Sequence, residues 1–467
     1  MTTLGNGFGR FSFAAKYNKD MRTLNSEIKH FDYPDGSIQD VQIVSFDSFD
    51  DLHFLFPEYS PEAFYALSDL YKKYFSPRFR WYYDKVVLFR IPGDLKVPRL
   101  SLPEKYGEVK EDLTRVNIAF RENCYLKNGK ICFRDVATGE LFEELYSRGD
   151  LQIAEGDRDS LTFLPVGEHI GFLSRSAKDA SLKVNASFFV MDKLDLGSVY
   201  DRIGTPIGLC VKDGKILNPP QYDREVLTVR SDTVAVEKIP LSSVTIRIGK
   251  QEFRDGVNAE FITRPKYKRS PSGGTDIVIV ENRVIALREG GRTEVPSGGL
   301  IIKTKDLLDI EEGSVEYKGL EDLSFAVQVG NSVLINGKKT ERFLSPFYHF
   351  LNPRETSYPP AMYPLNYRKA RAPRIVLGAD EQNKPKLLWF EGAGKFGYEK
   401  GKESCGASLS ETAEMCEKLG LQNAVHLDGG GSAQILLNGK RSLKLSDRDP
   451  DDLNERERAI SIGMKIK

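Results

Sequence analysis

Residues 424–437 read Ala-Val-His-Leu-Asp-Gly-Gly-Gly-Ser-Ala-Gln-Ile-Leu-Leu. Two short apolar runs flank Asp-Gly-Gly-Gly-Ser, a pattern that predicts a strand, a tight glycine loop and a second strand. Asp428 stands at the point where the first strand ends. Three successive glycines carry no Cβ atom, so their backbone N–H groups can converge on an anion. A flexible loop with a solvated aspartate is the alternative interpretation of this stretch.

A predicted helix leads the chain to this loop. Ser408 and Glu411 have the spacing of a capping box, and Gly420 suits the C-terminal end of the helix. Four apolar side chains recur between them on one helix face, at Leu409, Ala413, Cys416 and Leu419. The order of helix, strand and loop predicts a helix that packs on a sheet and gives the loop a rigid frame.

The composition is typical of a globular protein. Hydrophobic residues make up 40% of the 467 residues and charged residues 29%, which argues against a disordered chain or a membrane protein. The 67 basic side chains balance the 67 acidic ones, so no net charge draws the chain to nucleic acid or to an anionic membrane. No apolar leader follows Met1, and we therefore expect a soluble, cytoplasmic protein with no membrane partner.

The cysteines predict neither a disulfide framework nor a zinc site. They form an odd set without a Cys-x-x-Cys pair, consisting of Cys124, Cys132, Cys210, Cys405 and Cys416. Unpaired thiols in a reducing compartment are the expected state. We predict no cofactor from the sequence.

The length suggests two or three domains. A polar run at 155–160 follows Gly149 and Asp150 and predicts a boundary near residue 150. Residues 1–150 would form a smaller mixed α/β domain of unknown function. Residues 151–467 would form a sheet-rich α+β domain with helices packed on the sheet.

The first region contains one clear helix signal and one ambiguous segment. Ser60 can cap a helix that starts at Pro61 and carries an apolar stripe from Phe64 to Phe75. Residues 78–90 then interleave cations with aromatic side chains. Surfaces that bind single-stranded nucleic acid have this composition, but a strand with aromatic packing is favoured because the chain has no basic excess.

Four dipeptides predict hairpins, because both central positions of a type I′ turn need positive φ. They are Asn128-Gly129, Asp213-Gly214, Asn336-Gly337 and Asn438-Gly439. Apolar runs predict strands at 184–190, 207–211, 244–248, 277–280, 301–303, 332–335 and 374–377. Residues 343–372 are too rich in proline for a long helix or a central strand. Their tyrosines form either the wall of a sugar site or a packed surface loop.

Several motifs in order show that residues 165–467 resemble the phosphodiester glycosidase family. The matching segments are Asn185 to Phe189, Gly204 to Leu209 with Asp213 to Lys215, Val295 to Gly299, Pro373 to Gly378, His426 to Ser432, and the pair Glu457 and Arg458. The resemblance implies a phosphodiester-glycosidase-like catalytic domain over 151–467. It also implies hydrolysis of the bond between a sugar's anomeric carbon and a phosphodiester oxygen, which releases free sugar and a phosphomonoester.

The matched residues suit that chemistry, because the substrate presents an anionic phosphate beside an electron-poor carbon. Asp428 is the candidate nucleophile or general base, and Glu457 is the candidate second carboxylate or a structural ion-pair partner of Arg458. His426 can carry a proton, or it replaces a family asparagine as a hydrogen-bonding group. The expected phosphate or substrate contacts come from Asn185, Arg374, Gly429, Gly430, Gly431, Ser432 and Arg458. Asn185 binds a sugar hydroxyl, orients Asp428, or forms a turn.

Departures from the family pattern lie close to the expected pocket. Ala186 and Ser187 replace two glycines, and Ile375 replaces threonine. These side chains fill space near the sugar, so the sequence leaves the identity of the sugar open.

The acidic segment 447–452 begins like a calcium-binding loop. It lacks glycine at the sixth position and has Arg458 where the bidentate glutamate should stand, so it is not an EF-hand. A solvated loop is the favoured interpretation, with a looser divalent-cation site as the alternative. Two other functions remain open: a sugar-phosphate binding module without turnover, and an enzyme directed to nucleic acid by residues 78–90.

Overall fold

We describe a computed structural model of the chain. It covers residues 24–60, 62–64, 66–67, 167–191, 198, 200–222, 224–264, 266–305, 314–328, 330, 332–340, 371–394, 398–449 and 451–467. It also places the backbone of short strands at 11–12, 86–90, 124–127, 130–133, 151–153 and 162–166. Predictions for the helix beyond residue 67, for residues 78–85 and for most of 343–372 fall outside these ranges.

The described chain is rich in strands, which confirms the sheet-rich prediction. The strands of the first half are β1 Phe11–Ser12, β2 Asn25–Asp32, β3 Ile38–Ser45, β4 His53–Leu55, β5 Val86–Arg90, β6 Cys124–Lys127, β7 Lys130–Phe133, β8 Leu151–Ile153, β9 Thr162–Val166, β10 Leu182–Asn185, β11 Phe188–Phe189, β12 Pro206–Ile207, β13 Cys210–Lys212, β14 Lys215–Asn218 and β15 Glu225–Arg230. The strands of the second half are β16 Thr233–Lys238, β17 Thr245–Ile248, β18 Gln251–Arg254, β19 Glu260–Ile262, β20 Ser272–Val280, β21 Arg283–Gly291, β22 Gly299–Thr304, β23 Val315–Lys318, β24 Phe325–Val327, β25 Ser332–Ile335, β26 Lys338–Lys339, β27 Arg374–Asp380, β28 Pro385–Phe390, β29 Leu421–His426, β30 Ile435–Leu437 and β31 Gly463–Ile466.

The largest sheet has eight strands in the order β1-β2-β3-β28-β27-β29-β25-β26. It joins the two ends of the chain, because β3 pairs antiparallel with β28 along residues 41–45 and 386–390. A four-stranded sheet of order β30-β10-β31-β4 does the same, since β4 pairs with β31. Residues 25–55 therefore share their sheets with residues 374–466. The division near residue 150 and the α+β class stay predictions.

The predicted hairpin turns are confirmed where their residues are described. Asp213, Asn336 and Asn438 have φ angles of 50°, 50° and 48°, and the glycine that follows each one also has positive φ. The flanking lysines and apolar residues pair across each turn. For the turn at 128–129 the paired strands β6 and β7 are described, with Lys127 opposite Lys130. The described turns thus have the positive φ angles that their Asn-Gly and Asp-Gly dipeptides favour.

The predicted strands also form, with two differences. Residues 207–211 are divided between β12, which ends at Ile207, and β13, which begins at Cys210. Residues 184–190 do not make one strand, because β10 ends at Asn185 and β11 begins at Phe188. The break lets β10 stay in the four-stranded sheet while β11 pairs with β12. It places Asn185 at a strand end, where its side chain can reach the glycine loop.

One helix, α1 (Leu409–Lys418), packs on the eight-stranded sheet as predicted. Ser408 and Glu411 form both hydrogen bonds of the capping box, and Gly420 follows the helix with a φ of 76°. The buried face of α1 contacts Val376 and Leu388 of the sheet in one apolar cluster. Among the described side chains, Cys210, Cys405 and Cys416 carry free thiols.

The main core lies on the opposite face of the eight-stranded sheet. Alternate residues of β27, from Ile375 to Leu377, point into it while Val376 points to α1, so both faces of this strand are buried. The core continues into the four-stranded sheet and into a five-stranded sheet of order β14-β13-β24-β15-β16. Trp389 is completely buried there. In the part of the chain that the structure describes, no helix is long and apolar enough to cross a bilayer.

We expect the cap of α1 to be measurable in stability. Ser408→Ala removes the acceptor for the Glu411 N–H group and should lower the free energy of unfolding by about 1 kcal/mol. Ser410→Ala, at an exposed position of the same helix, should change it by less than about 0.5 kcal/mol. Urea denaturation of both variants tests this expectation. Equal stability losses would contradict it.

Candidate functional site

The glycine loop connects two different sheets. β29 ends at His426 in the eight-stranded sheet, and β30 begins at Ile435 in the four-stranded sheet. Between them Gly430–Ser432 make a single turn of 3₁₀ helix, which Gly430 enters with a φ of 60°. The predicted order of strand, loop and strand is confirmed. The loop lies where the two sheets meet.

Asp428 is held inside this junction, with only 8% of its surface exposed. Its Oδ1 atom accepts a hydrogen bond of 2.9 Å from the Gly429 N–H group. Burial raises the pKa of Asp428 to about 6, while the Ser432 hydroxyl, Arg458 and the Gly429 N–H group act in the opposite direction. A carboxyl with this balance changes its protonation state close to neutral pH. The alternative of a solvated aspartate is wrong.

Asn185 ties the loop at both ends. Its side-chain NH₂ group donates to the Asp428 carbonyl at 2.6 Å, and its Oδ1 atom accepts from the Gln434 N–H group at 3.0 Å. The Asp428 N–H group donates to the Ala186 carbonyl at 2.8 Å. Asn185 is 1% exposed. Among its predicted roles, this geometry fits the orientation of Asp428.

Arg374 lies across from Asp428. The pairing of Val376 with His426, and the 3.0 Å bond from the Leu427 N–H group to the Ile375 carbonyl, place the start of β27 beside the end of β29. The Arg374 side chain is 4% exposed, and its Nε atom donates to the Ala407 carbonyl at 3.1 Å. The cation of Arg374 therefore lies at the start of β27, on the face of the sheet that carries Val376 and α1, and Asp428 follows two residues after the end of the neighbouring strand β29.

His426 is buried on the same face of the sheet. Burial lowers the pKa of His426 well below its usual value, and the charge of Arg374 lowers it further, against the Ile375 carbonyl. The imidazole is therefore neutral at physiological pH. Its Nε2 atom has no hydrogen-bond partner among the described residues. These properties fit the predicted hydrogen-bonding group better than the predicted proton carrier.

The Arg458 side chain packs against the glycine loop at Gly431. Its Nε and Nη2 atoms donate to the two carboxylate oxygens of Asp447 at 2.8 and 3.0 Å. A Cβ atom added to Gly431 would lie 2.2 Å from Arg458 Nη2 and 2.2 Å from Asp447 Oδ2. A side chain at this position would force the Arg458–Asp447 pair to shift. The sequence predicted that Arg374 and Arg458 hold a phosphate between them. In the structure, the Arg458 guanidinium already makes a two-point contact with the Asp447 carboxylate.

Asp447 is the residue that the sequence analysis missed. The interpretation of 447–452 as a solvated loop is wrong at its start, because Asp447 is 3% exposed and Arg448 8%. Nothing in the local sequence pairs Asp447 with Arg458. The contact arises because the segment folds back onto the glycine loop before β31.

Glu457 does not join Asp428 in the structure. Its Oε1 atom accepts from the Ser174 N–H group at 2.8 Å, and its Oε2 atom lies 2.6 Å from Arg441. Arg441 also donates to the Gln434 side chain at 2.8 and 3.1 Å. The ion-pair alternative for Glu457 is thus observed, but with Arg441 in place of Arg458. This pair braces the far end of the glycine loop.

The loop offers fewer N–H donors than the three glycines suggested. The Gly429 N–H group bonds the Asp428 carboxylate, and the Gly430 N–H group donates to the Pro373 carbonyl at 3.0 Å. Of the three predicted donors, Gly431 alone has no hydrogen-bonded N–H group within the described ranges. Those ranges also contain no group of three or more His, Cys, Asp or Glu side chains arranged to hold a metal ion.

The chain is similar to one protein family and to several solved structures. Residues 254–466 match the family model described as phosphodiester glycosidase. A search of curated proteins finds no match. Among solved structures, a hypothetical protein from Synechocystis is 14% identical with a TM-score of 0.42, covering 95% of this chain, and this chain spans 61% of that chain. The catalytic domain of zebrafish N-acetylglucosamine-1-phosphodiester alpha-N-acetylglucosaminidase is 12% identical with a TM-score of 0.41, covering 98% of this chain and 87% of its own.

The matched segment contains Asp428, Arg374 and Arg458, whereas Asn185 reaches the loop from outside it. The family resemblance of the motifs is confirmed over this segment. Over residues 254–466 the chain is similar to the phosphodiester glycosidase family.

Proposed function

We propose that this chain is a hydrolase that cleaves the bond between a sugar's anomeric carbon and a phosphodiester oxygen. The products would be free sugar and a phosphomonoester. One observation carries the proposal: the family-matching segment holds a buried carboxyl, Asp428, in the loop that follows β29, and a buried cation, Arg374, at the start of the neighbouring strand β27. A sugar-phosphodiester, as a small molecule or on a glycan, presents the complementary charges.

Asp428 and Arg374 carry charges opposite to the two charges that develop in this reaction. Positive charge grows at the anomeric carbon, and negative charge grows on the departing phosphate oxygen. An ionised Asp428 acts on the carbon, as a nucleophile or as the base that takes a proton from water. Arg374 stabilises the phosphate. Because a phosphate is a better leaving group than an alkoxide, the reaction depends less on a separate general acid.

Burial prepares Asp428 for this role. A carboxylate in water is strongly solvated, and that solvation must be lost before it can approach a carbon atom. In the folded protein most of this loss has already occurred, which is why the pKa of Asp428 is raised to about 6. Above that pH the group is ionised and close to the site where it would act.

His426 and Asn185 have supporting roles in the proposal. The imidazole of His426 is neutral and buried, and its Nε2 atom has no hydrogen-bond partner among the described residues. It would bond a sugar hydroxyl that enters the site to this depth. Asn185 fixes the backbone from which Asp428 projects. Both roles require geometry and no proton transfer.

A panel of sugar-1-phosphodiesters and nucleotide sugars, with detection of free sugar, tests the proposed reaction. Asp428→Asn keeps the shape of the side chain but removes its charge and basicity, so kcat should fall by about 100-fold to 10,000-fold. Ligand binding, measured by calorimetry, should be retained. Asp452→Asn, at an exposed position, serves as the control with unchanged turnover. Full activity in Asp428→Asn would refute the catalytic assignment, and binding without turnover in the wild type would indicate a binding module.

The pKa of Asp428 also predicts a pH-dependent stability difference. Unfolded aspartate has a pKa of about 3.9, and burial raises that of folded Asp428 to about 6. The folded state holds this proton more tightly, so the contribution to stability is complete below about pH 4 and is lost as pH rises through about 6. Asp428→Asn avoids this loss.

We therefore expect Asp428→Asn to exceed the wild type in free energy of unfolding at pH 8 by on the order of 2 kcal/mol. The difference should vanish near pH 4. Urea denaturation at both pH values, with Asp452→Asn as the control, measures it. A variant less stable than the wild type at pH 8 would show that Asp428 is stabilised as a carboxylate.

Glu457→Gln distinguishes a structural carboxylate from a catalytic one. The change leaves the partly buried Arg441 without its ion-pair partner, and we expect the free energy of unfolding to fall by about 1 to 3 kcal/mol. Turnover of the folded variant should change less than about tenfold. Arg441→Gln, which breaks the same pair from the other side, should behave alike. A loss of about 100-fold in Glu457→Gln alone would assign Glu457 to the chemistry.

A further inference from the structure

Two residues of the segment before β31, Asp447 and Arg458, pack against the glycine loop at Gly431. We call this side of the loop its floor. The Asp447 carboxylate and the Arg458 guanidinium meet there through two parallel hydrogen bonds of 2.8 and 3.0 Å. Their side chains are only 5% and 16% exposed. The backbone carbonyl of Asp447 also accepts from the Arg456 N–H group at 2.9 Å. The pair is thus fixed to its own segment as well as to the loop.

This pair touches the loop where the loop has no side chain. A Cβ atom on Gly431 would overlap both members of the pair, so guanidinium and carboxylate pack directly on its backbone. Three residues earlier in the loop stands Asp428, on which Arg458 exerts an attractive charge. The reaction proposed above uses neither the carboxylate of Asp447 nor the two bonds that it receives.

We propose that Asp447 is a positioning residue for Asp428. By holding the Arg458 guanidinium in a two-point contact under Gly431, Asp447 fixes the floor of the glycine loop and sets the net charge that the Asp428 carboxyl meets. The inference rests on the proposed function only in giving Asp428 a catalytic role. The contact between the pair and the loop does not depend on any substrate.

Charged and polar groups face Asp428 from each neighbouring segment. The segment before β31 contributes Arg458, which is paired with Asp447, and the loop itself contributes the Ser432 hydroxyl and the Gly429 N–H group. Arg374 and the neutral His426 lie at the ends of the neighbouring strands β27 and β29. Asp447 is the one other carboxylate in this set of described residues. It partly cancels the positive charge of Arg458, so its removal should make the surroundings of Asp428 more positive.

The carboxyl titration of Asp428, followed by carbon NMR of protein labelled at aspartate Cγ, tests this arrangement. The signal of Asp428 is the one that Asp428→Asn lacks. In Asp447→Asn the uncompensated Arg458 favours the carboxylate, and the pKa of Asp428 should fall by about one unit. In Arg458→Gln the attraction is lost, and the pKa should rise by about one unit. If the pair served only to pack the loop, both changes would let water in and lower the pKa alike.

Two further variants act as controls. In the same segment, the Asp449 carboxylate lies 3.3 Å from the Arg456 guanidinium. Asp449→Asn breaks this neighbouring ion pair and should leave the titration of Asp428 unchanged. Asp447→Glu restores the charge and should return the titration toward the wild-type value. The double variant Asp447→Asn with Arg458→Gln pairs two neutral amides. It keeps the measurement possible if either single variant fails to fold, and its titration should be close to that of the wild type.

Opposite shifts in the two single variants, with no shift in Asp449→Asn, support the inference. Shifts of the same sign, or no shift in either, overturn it. When only the double variant folds, a shift of more than about one unit from the wild type overturns it as well. The titration needs no turnover, so a wild-type protein that cleaves no sugar-phosphodiester but shows the opposite shifts refutes the proposed function and not the role of Asp447.

Discussion

The amide side chain of Asn185 is the contact on which the candidate site depends. It comes from the four-stranded sheet, donates to the carbonyl of Asp428, two residues after β29 of the eight-stranded sheet ends, and accepts from the N–H group of Gln434, the residue before β30. Loss of either bond leaves a buried backbone group without a partner, a cost of about 1 to 3 kcal/mol for each group. Asn185 therefore holds the loop between the two sheets, together with the backbone bonds from Asp428 to Ala186 and from Gly430 to Pro373.

Around that contact, Asp428 and His426 are less fully compensated than the ion-paired groups beside them. Asp428 is desolvated more strongly than its neighbours stabilise it, and His426 is buried without its charge. Arg458 shares its charge with Asp447, whereas Glu457 is drawn away to Arg441. Such incomplete compensation lowers stability, and it leaves the one carboxyl at the loop able to respond to a substrate.

The sequence predicted the features that depend on neighbouring residues. The Asn-Gly turns, the capping box at Ser408 and the loop at Asp428 follow from backbone preferences over four or five residues, and each formed as expected. The partners of Arg458 and Glu457 could not be predicted in this way. They come from Asp447 and Arg441, and which carboxylate meets which guanidinium is decided only when β31 and its preceding segment pack against β10. The number of free N–H groups in the loop was likewise a consequence of tertiary contacts, such as that of Gly430 with Pro373.

The pairing of β3 with β28 bears on how the chain reaches its folded state. β28 lies near the middle of the large sheet, between β27 and a strand made more than three hundred residues earlier. Contacts of this sequence separation form slowly, because a long loop must close before they contribute. During synthesis the hairpin of β2 and β3 forms before β28 exists, so the edge of β3 stays unpaired until β28 is made. In a fragment limited to residues 254–466, β28 would lack β3 and would have an unpaired edge of its own. An open edge of this kind invites association with other chains, so the N-terminal strands act as a cover against aggregation as well as a part of the sheet.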